Sequence, residues 1–495
     1  MHPMHPMRPH HARLAGLGAL CWLLCSPAAI AMQIHDLDPG QVALAATPFG
    51  DNELGDAVGI AAVAGFDDPQ AVLFTQAGGT SLLPLLPGDE AGTAFDISEG
   101  GLAVGESIDV TLSQPGFWTV TPHAVIWQGG LPTSVESMIP GGSGYELRQA
   151  VAINEAGQVV VQGRDPADPG LHVFLFEDGG LTPLGHLSPS LTSSEAYDMN
   201  ERGQVVGNSY SLDGFRVAFL WEDGVMSSLH DPAQIPGTVS SAHAVNAAGV
   251  VVGEADFTPD FGQFTTATVW DHGSVTNLGS LELNAQSLAM DINDHGSVVG
   301  FSQTSFGDRA FIREGSDPMQ DLNDRLAPGS GWTLLSAQCI TNDGRIFGEG
   351  VVAGDNRPYV LVPECAGGFA VFASASVGSD DFVPGLWGQG CPVAGEDVSI
   401  AITNGVGGEP GLLLFGGGTG VVPFKPGLDL AILPLLPLSL LLGLDGTGPG
   451  AGTWQLTTTW PAGVPSGQLT LQTILADPGT PSGFSVTNAL SVDIP

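Results

Sequence analysis

Residues 195–229 read EAYDMNERGQVVGNSYSLDGFRVAFLWEDGVMSSL, and the fold turns on this stretch. Ala196-Tyr197-Asp198-Met199 alternates, Asn200-Glu201-Arg202-Gly203 supplies turn residues, and Gln204-Val205-Val206-Gly207 is a short β-branched run. A polar loop leads to Val217-Ala218-Phe219-Leu220-Trp221, a second turn at Glu222-Asp223-Gly224, and a last apolar pair, Met226 and Leu229. The pattern predicts four short strands joined by tight turns.

The glycine that closes the first turn recurs as Gly55, Gly101, Gly157, Gly203, Gly249, Gly296 and Gly344. Its spacing runs from 46 residues, as between Gly157 and Gly203, to 56 between Gly101 and Gly157. A four-stranded unit of about 40 to 50 residues is the sequence signature of a propeller blade, because one such sheet cannot bury both faces alone. The reading is therefore an all-β chain in which residues 32–363 form a seven-bladed β-propeller. The abundance of Gly (71) and Pro (37) favours turns and strands over helices.

The seventh unit stops at Pro363-Glu364-Cys365 before a fourth strand can form. Gln33-Ile34-His35-Asp36-Leu37-Asp38 resembles the fourth strands Val275-Thr276-Asn277-Leu278-Gly279 and Met319-Gln320-Asp321-Leu322-Asn323, so it is expected to complete the seventh sheet and close the ring. The third strands, among them Ala71-Val72-Leu73-Phe74, Ala124-Val125-Ile126-Trp127 and Ala267-Thr268-Val269-Trp270, are apolar on both faces. The recurrent aromatic at their fourth position reads as blade-to-blade packing rather than a sugar platform, and Arg313 at that position suggests a rim.

Two further runs carry a resemblance: Ile153-Asn154-Glu155-Ala156-Gly157-Gln158-Val159-Val160 with His172-Val173-Phe174-Leu175-Phe176, and Ile292-Asn293-Asp294-His295-Gly296-Ser297-Val298-Val299-Gly300. They resemble the HAF-type extracellular repeat family, and His123-Ala124-Val125 is the nearest version here of its His-Ala-Phe run. The resemblance covers about residues 33–363 and implies a secreted repeat protein without an established enzymatic activity.

Residues 364–495 change character, with Gly, Pro, Leu and Thr dominant. The alternation of residues 452–460 and 468–474 reads as a pair of strands, hence a C-terminal β-sandwich similar to modules on other secreted bacterial proteins. The apolar run 428–444 contains Asp429, Pro434, Pro437 and Gly443, too short and too broken for a membrane helix.

Residues 1–31 read as a signal peptide, with Arg8 and Arg13, an apolar core over residues 14–25 and Ala29-Ile30-Ala31 before the cut. The expected location is secreted, extracellular or at the cell surface. A formal net charge of −40 argues against nucleic acid and anionic lipid as partners, leaving an extracellular protein or polysaccharide.

Outside the leader, Cys365 and Cys391 flank the module junction and are the expected disulfide pair, with Cys339 left as a buried thiol. Asn52, Asn154, Asn200, Asn246 and Asn293 stand three residues before the turn glycines, where an amide caps a turn. Asp165 with Asp168, Asp291 with Asp294, Asp321 with Asp324, and Asp380-Asp381 read as solvated turns, with calcium the sharper alternative. His186, His230, His243 and His272 read as surface residues. No nucleophile elbow, zinc-protease helix, phosphate loop or dinucleotide fingerprint occurs, so no catalytic, cofactor or metal residue is assigned.

Two functions remain in view. One is a non-catalytic binding or cell-surface scaffold whose partner meets the rim, where the insertion at residues 106–121 is expected to form a loop exposing Phe117 and Trp118. The other is a polysaccharide-active enzyme with acidic residues at the propeller channel.

Overall fold

The computed structural model describes residues 32–494, apart from 39–42, 67, 76–78, 115–116, 259–263, 364–367, 374, 380–381, 391, 393–396, 426–427, 433–434 and 461–466. The leader, Cys365, Cys391 and Asp380-Asp381 lie outside the described residues.

Seven four-stranded antiparallel sheets follow one another, six of them simple meanders in chain order. Their first strands are Ala43–Asp51, Ala91–Ile97, Glu146–Ile153, Ser194–Met199, Ser240–Val245, Ser287–Ile292 and Trp332–Ile340. The seventh sheet differs: Met32–Asp36 supplies its outer strand, with Met32 opposite Pro363 and Asp36 opposite Tyr359. Among the described residues the helical segments are two single turns, Val135–Met138 and Leu322–Arg325, and no helix is long and apolar enough to cross a membrane.

Each hairpin end is shaped by residues suited to it. Asp223 and Gly224 both take positive φ (50° and 80°), the backbone that a two-residue hairpin needs and that Gly adopts without a steric cost. This turn sets the register that puts Trp221 opposite Met226.

Burial lies between sheets. Phe219 and Trp221 of the fourth sheet pack with Val160 and Val173 of the third, and Ala218 and Val206 pack with Trp270 of the fifth. The pattern continues to Val72 and Phe74 of the first sheet, which pack with Cys339 and Phe347 of the seventh. Full burial of side chains such as Phe74, Phe174 and Phe219 stabilises by about 1.5–3 kcal/mol each. The recurrent aromatics Phe74, Trp127, Phe176, Trp221 and Trp270 are all buried in these interfaces.

The expected loop at residues 106–121 is instead a ladder: Ala103–Gln114 and Phe117–Gln128 pair from Ala103↔Trp127 out to Gln114↔Phe117. The β-branched pairs Val110↔Val120 and Thr111↔Thr119 let the sheet continue outward. Leu112 and Val120 are exposed on it, while the side chains of Phe117 and Trp118 lie outside the described residues.

After Pro363 the chain enters a different arrangement. A six-stranded sheet holds Gly368–Ala373, Ala489–Ile494, Gly467–Ala476, Pro410–Gly416 and Leu435–Gly443 in that order, with Phe484–Val486 against the third. A three-stranded sheet of Gly385–Gly390, Asp397–Gly407 and Gly448–Thr459 faces it across Leu386, Ile402, Leu413, Leu475 and Leu490. The two alternating segments expected to pair therefore lie in opposite sheets. Gly448–Thr459 pairs with Asp397–Gly407, and Gly467–Ala476 with Pro410–Gly416 and Ala489–Ile494. Alternation specifies which face is buried but not which neighbour supplies the ladder.

Candidate functional site

The first strands of all seven sheets face a common central cavity of about 240 Å³. What they present is set by one irregularity repeated seven times. Each first strand carries a β-bulge three residues before the residue that opens its turn, an Asn in five sheets, Ser98 in the second and Thr341 in the seventh, as between Ala196 and Asp198 or Ala289 and Asp291. The extra residue is left unpaired and turned inward. These residues are Phe49, Phe95, Val151, Tyr197, His243, Met290 and Gln338, and all seven line the cavity.

In six of the seven sheets a glycine of the second strand stands opposite the bulge, and Val161 takes that place in the third. A Cβ on Gly207 would stand 2.0 Å from the Glu195 carbonyl oxygen, and Gly253 and Gly300 meet the first strand just as closely.

Directly after the bulge, the second, fourth and sixth sheets carry an aspartate, and each clasps the next sheet. Asp96 accepts the amides of Ile97 (2.8 Å) and, across the interface, Ile153 (2.8 Å). Asp198 accepts those of Met199 (2.7 Å) and Val245 (2.8 Å). Asp291 accepts those of Ile292 and Ile340, both at 2.7 Å. Burial pushes the carboxyls of Asp96 and Asp291 up to about 7 and that of Asp198 to about 6, because little water reaches the ionised form. Asp51 of the first sheet is raised too, by burial and then by the charge of Asp291.

A second circuit runs through the turns. The Glu53 amide donates to Glu99 Oε1 (2.8 Å), Glu99 to Glu155 (2.5 Å) and Glu155 to Glu201 (3.1 Å). It resumes as Ala247 to Asp294 (2.9 Å), Asp294 to Asn342 (2.7 Å) and Asn342 to Glu53 (2.8 Å). The gap falls at the fifth sheet, where Ala247 has no acceptor to offer the Glu201 amide. Burial raises Glu99 to about 7 and Glu201 to about 8.

The turn asparagines sit beneath this circuit. Oδ1 of Asn52, Asn154, Asn200, Asn246 and Asn293 accepts the amide four residues on, at 2.9–3.1 Å. Nδ2 of Asn52, Asn200, Asn246 and Asn293 also donates to the matching carbonyl of the next sheet. Gly55, Gly101, Gly157, Gly203, Gly249, Gly296 and Gly344 close the same turns at positive φ. The amide pattern is legible in the sequence; its reach into the neighbouring sheet is not.

The C-terminal sheets lie over this face. A cavity of about 710 Å³ is walled on one side by Glu99, Glu155, Glu201 and Asp294 and on the other by Val377, Val383, Trp387 and Asn404. Thr403, which lines the same cavity, helps offset the burial that raises the Asp294 carboxyl.

The remaining acidic pairs are occupied locally. Asp165 accepts the Ala167 amide, Asp168 that of Gly170, and Asp321 that of Asn323. Among the described residues no group of three or more His, Cys, Asp or Glu is arranged to hold a metal ion, and Cys339 is a buried free thiol. His272 is exposed in its turn, His186 is half-buried, and His230 Nδ1 lies 3.0 Å from Ser240 Oγ.

His243 corrects the surface reading. It lines the cavity, stacks on Tyr197 with centroids 4.8 Å apart and planes 4° apart, and is driven down to about 4 by burial. The bulge explains the error, because it moves His243 out of the register that simple alternation predicts. It also brings His243 and Tyr197, residues that do not recur from unit to unit, into one cavity.

No protein-family profile matches the chain, and no curated protein matches it. Among solved structures it is similar to TolB from Acinetobacter baumannii, at 10% identity and a TM-score of 0.34, over 53% of this chain and 62% of that one. It is also similar to a Trypanosoma rangeli sialidase in complex with sialic acid, at 12% identity and a TM-score of 0.30, over 90% of each chain. PorZ, a bacterial surface component of the type-IX secretion system of Porphyromonas gingivalis, aligns at 11% identity and a TM-score of 0.29, over 85% of this chain and 62% of that one. Likeness this slight carries no argument about activity.

Proposed function

We propose that the chain is a secreted, non-catalytic binding or cell-surface scaffold. In this reading residues 32–363 are a closed seven-bladed β-propeller of HAF-like repeats, sealed by the strand Met32–Asp36, and residues 364–495 are a β-sandwich module seated on its turn face. Apolar clusters between successive sheets, and between the seventh and the first, support the closed form.

One observation carries the scaffold over the glycosidase. A glycosidase needs one carboxyl free to deliver a proton and another free to attack or to activate water. At the centre of this chain both oxygens of Asp96, Asp198 and Asp291 accept backbone amides, half of them from the neighbouring sheet. Such carboxyls join sheets.

The test is a glycan array probed with the purified chain, with and without calcium, beside polysaccharide hydrolysis assays. Binding without turnover is expected. Hydrolysis abolished by Asp96→Asn or Asp291→Asn in a folded protein would install the enzyme instead.

A further inference from the structure

In a repeat protein the positions that recur maintain packing, so a register whose residue varies around the repeats is released from that task. Here that register is the bulge, and its seven residues share one cavity. Three are aromatic rings other than histidine. Phe49 and Phe95 approach at 6.1 Å with their planes tilted by 38°. Tyr197 is held by its stack on His243 and by its hydroxyl, which donates to Glu195 at 3.0 Å.

Beneath these rings lie Asp51, Asp96, Asp198 and Asp291, and no Lys or Arg is among the lining residues. Burial raises all four carboxyls, so the negative potential that low-dielectric walls concentrate in such a cleft builds as they ionise with rising pH.

We propose that the central cavity binds a compact organic cation, a quaternary or protonated amine, with the ring faces of Phe49, Phe95 and Tyr197 around it and the four aspartates below. The proposal deepens the binding-scaffold reading by naming a ligand class, and it rests on that reading for the closed shape of the cavity. Ring faces attract cations through the aromatic quadrupole, most strongly where water is excluded.

The geometry separates this ligand from its rivals. A metal ion needs carboxylate oxygens in its inner sphere, and those of Asp96, Asp198 and Asp291 are bonded to amides. A neutral sugar would stack on the rings but gain nothing as the aspartates ionise with rising pH. A quaternary ammonium needs no hydrogen-bond acceptor and responds to ring faces and net field alone. His243, kept neutral by burial, adds no repulsion.

The experiment is isothermal titration of the full chain with choline and with 3,3-dimethylbutanol, its uncharged carbon isostere. Saturable choline binding is expected, with the isostere weaker by about 10-fold or more. Phe95→Leu and Phe49→Leu, the latter at a residue 38% exposed and so little tied to folding, should each weaken choline about 3- to 30-fold without lowering the melting temperature. Equal affinity for the isostere, no binding of choline, or full affinity in both variants would overturn the proposal. Glycan binding that survives such a result would show that the scaffold reading stands and only the cation site has failed.

Discussion

Replacing Asp198 by Asn separates the two effects that compete at the inter-sheet clasp. In the native chain the carboxylate receives two amides, Met199 and Val245, but is buried enough to hold its proton up to about pH 6. Unfolded, an aspartate titrates near 3.9. The folded state therefore binds the proton more tightly. The resulting stability is complete below about pH 4 and is lost as pH rises through about 6. A shift of about two units corresponds to about 3 kcal/mol. Asparagine cannot ionise and keeps one carbonyl oxygen for one of the two amides, so near pH 4 the variant should be weaker by about 1–2 kcal/mol. By about pH 7.5 the difference should have moved about 3 kcal/mol in the variant's favour. Asp96 and Asp291 are both raised in part by the Asp198 charge, so its removal acts in the same direction on them. Urea unfolding followed by circular dichroism from pH 4 to 8 measures both proteins. Parallel stability curves would refute the reasoning, because they would mean that the clasp carboxyl titrates alike in both states.

Gly207→Ala places a methyl 2.0 Å from the Glu195 carbonyl and should cost about 1–3 kcal/mol in thermal melts. Ala247→Asn faces the 710 Å³ cavity and supplies the acceptor missing from the turn circuit, so it should stabilise by about 0.5–1.5 kcal/mol in the same assay. Deleting residues 33–38 removes the partner of Asp355–Pro363 and should lower the melting temperature of the whole chain; an unchanged melt would count against a structural role for that strand.

The periodic part of the fold is written in residues that must recur. Gly203, Asn200 and the Val205-Val206 pair return because every unit solves the same turn and the same burial, and the vacancy after Val362 predicts the strand that fills it. The candidate site is illegible for the opposite reason. The bulge residues follow no repeating pattern, running from Phe49 and Tyr197 to His243 and Gln338, and the bulge shifts each out of the two-residue alternation. A faint signal existed in Ala94-Phe95-Asp96, Ala196-Tyr197-Asp198 and Ala289-Met290-Asp291, an alanine and an aspartate flanking a variable residue in alternate units. The C-terminal pairing could not be read because residues 448–459 and 467–476 alternate equally well beside several neighbours.

The strand Met32–Asp36 runs antiparallel to Asp355–Pro363, which puts the chain's entry at Met32 beside its exit at Pro363. Tension between those two positions would open the seam like a zipper, breaking ladder bonds one after another instead of loading them all together. A tether placed there would release at low force, whereas one attached through the turns of a single sheet would leave the seam unloaded.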